Sequence, residues 1–192
     1  MALLLLSIAL LQKEEIRISK SQYDPSCNLC QIKLKKSFYN DYDYEKFLKS
    51  LDWVKSVNKN QKFQTIEYEV IFKKPLFSYR NGLFYDENQE IFFHPTNESI
   101  PRLSFDTENF TSEDFKAAIE IKSNMKGFVH LSHSKISGWT IHFKNLIVKI
   151  GKNNIKERLD RLKIVFINYE ENNLNNKILD LRYKDGFTIA EK

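Results

Sequence analysis

The sequence predicts an α+β chain: a small mixed unit over residues 14–75, then a mostly antiparallel β domain with two flanking helices over 76–192. Three observations predict it. Short runs with apolar residues at every second position recur along the chain, as in Ile66, Tyr68, Val70 and Phe72. Only two stretches after Pro75 space apolar residues as a helix does, one through Phe115, Ala118 and Ile119 and one through Ile155, Leu159, Leu162 and Phe166. Turn chemistry such as Asn81-Gly82 and Asp185-Gly186 punctuates the runs between them.

In the first unit, Ile16-Arg17-Ile18 alternates like a strand. Residues 44–54 place Phe47, Leu48, Leu51 and Val54 at helical spacing. Extended segments follow at 54–57 and 65–72, the second ending at Lys74-Pro75 because proline supplies no ladder N–H. In the second unit, short strands are expected at 77–79, 83–85 and 90–93, with 99–103 as a connection. Thr111 and Asp114 form a capping box that opens the first helix. Strands at 129–132, 139–143 and 147–150 come next, the last stopping at Gly151. Asn153 or Asn154 caps the second helix, on which Glu157 and Arg161 are i,i+4 partners. A final hairpin is expected from 178–183 through Asp185-Gly186 to 187–189.

With 192 residues, 42% of them hydrophobic, the chain holds enough apolar surface for one ordinary domain or two small ones. Net charge is +5, but the basic residues alternate with acidic ones, as in Glu113-Asp114-Phe115-Lys116, so no basic groove for nucleic acid is expected. Residues 2–11 form an apolar run too short for a full span, which needs about 20 residues. It lacks a basic leader and a small-x-small cleavage site. A truncated membrane anchor over 1–13 is the expected reading, beside a signal peptide or a buried helix. The first two place the rest of the chain outside the cytoplasm.

Cys27-Asn28-Leu29-Cys30 has no second cysteine pair, and the four histidines show no ligand spacing beyond His130-x-x-His133. Zinc needs four ligands, so no metal is expected, and the cysteines are open to either a local disulfide or free thiols. No phosphate-cradling loop, dinucleotide fingerprint, zinc-protease helix or nucleophile elbow is present. Glu14-Glu15 and Glu170-Glu171 sit among polar residues with nothing to raise a carboxyl pKa. The expectation is a binding protein without catalysis, cofactor or small-molecule substrate. The sequons at Asn97 and Asn109 are ordinary in an Asn-rich chain.

The ending Leu179-Asp180-Leu181-Arg182-Tyr183-Lys184-Asp185-Gly186-Phe187 resembles the C-terminal D-L-R-Y-x-x-G signature of the FtsQ/DivIB family of bacterial cell-division proteins. Three further matches follow the family's order: Gly138-Trp139-Thr140-Ile141, Ile150-Gly151 with Arg158-Leu159, and Leu51-Asp52-Trp53-Val54 with Lys74-Pro75. The resemblance spans roughly 47–189 and departs from the family at Asp52, Lys73-Lys74, Asn145-Leu146 and Glu191.

The resemblance implies a single-pass inner-membrane protein with most of the chain in the periplasm, and a POTRA-type βααββ domain followed by the family's β domain. It implies a divisome scaffold that binds FtsB- and FtsL-type proteins through its last strands. The implied partner residues are Tyr183, Arg182, Lys184, Asp185, Gly186 and Phe187, with Lys135 near the same surface. Trp53 and Val54 are expected in the core of the small domain, or at a secondary recruitment surface if Trp53 is exposed. The alternative is another POTRA-containing factor of envelope assembly or secretion, which would need a β-barrel or further POTRA copies; no such repeat is visible.

Overall fold

A computed structural model describes residues 15–19, 41–62, 65–96, 99–106, 110–169 and 171–192. The apolar run at 2–11, Cys27, Cys30 and the sequon residues Asn97 and Asn109 lie outside them. The fold is mixed α+β, with a few helices flanking a larger mixed sheet. The chain divides into two units, one of residues 1–74 with 92–98, the other of 75–91 with 99–192.

The first unit contains β1 (Glu15–Ser19), α1 (Asp41–Lys49), β2 (Val54–Lys62) and β3 (Thr65–Phe72), with strand order β1-β3-β2. β1 pairs with β3 in parallel, and β2 with β3 antiparallel. Period two turns Ile66, Tyr68 and Val70 inward, as their spacing predicts. Tyr44 and Leu48 of α1 join them, with Tyr44 edge-on to Tyr68 at 5.4 Å. The helix ends at Lys49 rather than continuing to residue 54, because Val54 already pairs with Phe72 in β2. Trp53 packs against Phe72 and His94, at centroid distances of 5.4 and 6.4 Å.

The second unit is built on β4 (Phe77–Arg80), β5 (Leu83–Tyr85), β7 (Arg102–Phe105), β8 (His130–Ser134), β9 (Gly138–His142), β10 (Leu146–Gly151), β11 (Lys177–Asp180) and β12 (Thr188–Glu191). Their order is β12-β11-β10-β9-β8-β7-β4-β5; β6 (Ile91–Phe93) follows β5 in the chain. The helices are α2 (Ser112–Asn124), α3 (Ile155–Asn168) and the single turn α4 (Glu171–Leu174). The sheet is mixed: β4–β5, β8–β9, β9–β10 and β11–β12 are antiparallel pairs, and β4–β7, β7–β8 and β10–β11 are parallel ones. Parallel pairing needs crossovers, and α2 and α3 with α4 supply two of them, between β7 and β8 and between β10 and β11. β7 itself lies where a simple connection was expected, since Arg102-Leu103-Ser104-Phe105 alternates only over its four residues.

Both helices lie on one face of this sheet. Phe115, Ala118 and Ile121 of α2 and Leu159, Leu162 and Val165 of α3 share a core with Leu103, Leu131, Trp139, Ile141, Val148 and Leu179. The expected stripe on α3 is corrected at one place: Val165 is buried, whereas Phe166 is 37% exposed. The capping box at Thr111 and Asp114 is present in both directions. Asn154 stands at the N-cap of α3 in the left-handed region without a side-chain bond. The opposite face carries Arg102, Ser104, His130, Ser132, Thr140, His142, Ile147, Lys149 and Ile178, the alternate residues of the same strands.

The expected transmembrane, inner-membrane topology is corrected. Among the described residues no helix is long and apolar enough to cross a membrane. The longest, α3, has 14 residues and extends about 21 Å, against the ~30 Å of a hydrocarbon layer. The described residues thus supply no span for the expected single-pass topology with most of the chain in the periplasm. The 1–13 run itself lies outside the described residues.

Candidate protein-docking edge

The family-like ending forms one border of the large sheet. β11 runs parallel to β10 and stops at Asp180. Its carboxylate accepts the backbone N–H of Arg182 at 3.0 Å, and the Arg182 guanidinium at 2.9 Å through Nε and 2.6 Å through Nη2. A side chain that bonds two residues ahead competes with the ladder and turns the chain. Burial pushes the Asp180 carboxyl up, but the bonds from Arg182 and the nearby Lys149 charge outweigh it and hold it below the ordinary carboxylate value. Leu181, fully buried, adds one last ladder bond to the Lys149 carbonyl at 2.9 Å.

The tight hairpin expected at Asp185-Gly186 is therefore a longer connection over 181–187. Two arginines of α3 grip it. Arg161 donates through Nη1 to the carbonyls of Tyr183 and Gly186, both at 3.1 Å. Arg158 donates to the carbonyl of Ile150 at 2.6 Å and to that of Arg182 at 3.0 Å. Gly151 makes room for this, since a Cβ there would lie 2.5 Å from Arg158 Nη1 and 3.0 Å from Arg182 Cγ. The loop presents Tyr183 at 56% exposure, beside exposed Lys184 and Asp185. Phe187 turns back against the core and meets Tyr169 edge-on at 5.9 Å.

β12 then returns antiparallel to β11, with all four side chains exposed, and stands last in the strand order. Lys177 and Glu191 form an ion pair across the two strands. Lys192 N–H donates to the Asn176 carbonyl at 2.9 Å, one step beyond the Lys177–Glu191 register. Hydrogen-bonded pairs alternate in an antiparallel ladder, so Ala190 and Thr188 also bond toward β11. The N–H and C=O groups of Ile189 and Glu191 point the other way, off the sheet border. Among the described residues no strand pairs with that side. Such a row of backbone donors and acceptors is a template for an added strand.

Lys135 lies in the β8–β9 turn, exposed, with its N–H on Asp106 Oδ1 at 3.1 Å. The start of β9 abuts the end of β10, which places Lys135 at the same end of the sheet as the 181–187 loop, but several strands inward. Trp53 and Val54 are 1% and 9% exposed, so the exposure that a recruitment surface would need is not met. Period two puts His130 and His133 on opposite faces. His130 stacks on His142 at 4.7 Å, whereas His133 faces Asp114 at 3.7 Å beside a cavity of about 420 Å³ also lined by Glu113, Lys135 and Lys152. Among the described residues no group of three or more metal-ligating side chains converges.

Sequence reasoning missed the loop-holding role of Arg158 and Arg161. Arg161 is legible only as a helix-surface partner of Glu157, which it does contact at 3.5 Å. Its carbonyl partners lie more than twenty residues away and leave no local signal. No family model matches this sequence, and no curated protein matches it.

Proposed function

We propose that this chain is a non-catalytic docking module of bacterial cell division, of the kind that the FtsQ/DivIB resemblance implies. Its outer strand β12 accepts an extended segment of an FtsB-type protein, and through it an FtsL-type protein, into the division machinery. The observation that carries the reading is the backbone of Ile189 and Glu191, directed away from β11 at the border of the sheet. Tyr183 supplies an exposed aromatic beside that border, rimmed by Lys184 and Asp185, a make-up common at interface hot spots. The order β1-β3-β2 with parallel β1–β3 pairing supports a POTRA-type first domain over 14–75. The sheet with α2 and α3 on one face supports the family's β domain over 76–192.

Proline at position 189 tests this directly. Ile189→Pro removes an outward N–H and leaves the β11–β12 ladder its own donors, the one way an edge strand tolerates proline. The expected result is a loss of FtsB-type capture of about tenfold or more, the worth of one or two ladder bonds, with thermal stability nearly unchanged. Capture at the unaltered affinity by this folded variant rules the reading out.

A further inference from the structure

We infer that Arg161 and Arg158 are the positioning residues of the docking border: they fix the 181–187 loop so that Tyr183 and β12 form one preset surface. The inference rests on the strand-capture reading for its purpose and on the helix–loop geometry for its mechanism.

A loop of this length, left to itself, samples many conformations, and ordering it on binding would cost about 1–2 kcal/mol per residue fixed. A surface ordered in advance avoids that cost at the moment of docking. Leu181 and Phe187 anchor the two ends of the loop in the core, but the side chains between them do not supply its order. Tyr183, Lys184 and Asp185 are exposed, and Arg182 is committed to Asp180.

The carbonyls of Arg182, Tyr183 and Gly186 all point instead at α3. One nitrogen of Arg161 bridges Tyr183 and Gly186 and so closes the turn across the exposed Lys184 and Asp185. Arg158 uses two nitrogens, one on the end of β10 and one on the start of the loop. That split ties the loop to the most interior part of the border. Hydrogen bonds from a guanidinium are stronger than neutral ones, and its planar fork loses less freedom per bond than a lysine would.

Both arginines are turned toward the backbone they hold rather than toward the open surface. The Arg161 side chain is only 23% exposed, with Nη2 turned to Glu157. Arg158 Nη1 lies against Gly151 and the Ile150 carbonyl. They act through the backbone they hold.

The test pairs Arg161→Met, which keeps the apolar stem and removes the donors, with Arg161→Lys, which restores a cation. Two readouts are taken on the full chain: NMR order parameters of the 182–187 backbone, and capture of an FtsB-type segment. The inference expects Arg161→Met to lower the order parameters across 182–187 from the rigid range of about 0.85 to below about 0.6. It expects β10 and the melting temperature to stay near their original values, and capture to weaken about tenfold or more. Arg161→Lys is expected to recover part of both losses.

Unchanged loop order parameters in Arg161→Met overturn the inference, and so does loosening throughout the second unit, which would make Arg161 a general stability residue. Should Arg161→Met not fold, Arg161→Lys alone decides: order parameters and capture both equal to the original overturn the inference, and selective loosening of 182–187 sustains it. Loop mobility is measured without a partner. A chain whose loop loosens as expected, but which captures nothing even unaltered, defeats the docking reading and leaves the clamp standing.

Discussion

A Cβ placed on Gly138 would fall 2.2 Å from the carbonyl carbon of Gly151. The two glycines meet where β9 begins and β10 ends, at a register shift that leaves Ile150 unpaired between Lys149 and Gly151. Both have left-handed backbones, with φ of +75° and +85°. Gly138 lets the strands close, and Gly151 lets Arg158 and Arg182 approach. This contact underlies two of the family-like motifs at once.

Gly138→Ala is therefore expected to cost about 3 kcal/mol or more, combining backbone strain with overpacking against main chain that cannot move aside. Gly127→Ala is the control: its φ is +80° but no atom lies within 4 Å of the new methyl, so only the strain remains, about 1 kcal/mol. Urea unfolding of the two variants checks the difference. Equal costs would mean that the close approach is not what fixes glycine at 138.

Tyr183→Ala and Gly186→Asp are expected to leave stability within about 0.5 kcal/mol, as is usual for exposed positions. Tyr183 is more than half exposed, and a Cβ on Gly186 meets nothing. Both are expected to abolish FtsB-type capture, the first by removing the aromatic anchor and the second by adding a charge to the docking loop. Two folded variants with full capture would place the partner elsewhere.

The stacked imidazoles of His130 and His142 predict a pH dependence of stability. Each accepts or donates through Nε2 to a serine, Ser104 at 2.6 Å and Ser132 at 2.9 Å. Burial, then His142 and Arg102, hold His130 below the usual value of 6.5; burial, then Lys192, do the same for His142. The folded chain thus binds fewer protons than the unfolded chain as pH falls below 6.5. Stability is full above that value and declines as pH drops through the lowered folded values. Replacing both histidines with glutamine should flatten the urea midpoint between about pH 7 and pH 5.5. A double variant with the original slope would assign the dependence to other groups.

Local chemistry was legible; long-range pairing was not. Alternation exposed β3 and β9, and the Thr111–Asp114 capping box marked the start of α2, because each signal is confined to a few neighbouring residues. The parallel pairing of β10 with β11 left no such trace, since it is set by the crossover through α3 and not by any dipeptide. Asp185-Gly186 suggested a tight hairpin, but Asp180 ends β11 early by capturing Arg182, a competition that the turn residues do not reveal. Of the candidate site, Tyr183 and the last strand were visible through the family-like signature. Of the arginines that hold them, Arg158 was visible only as part of the Ile150-Gly151 and Arg158-Leu159 match, and Arg161 read as an ordinary surface partner of Glu157.

The most direct measurement of the central claim is backbone amide exchange in β12 with and without an FtsB-type segment bound. Capture on the sheet border predicts new protection at the amides of Ile189 and Glu191, whose N–H groups face outward. It predicts little change at Ala190, which already bonds toward β11. Binding that leaves the Ile189 and Glu191 amides exchanging at their free rates would contradict the account.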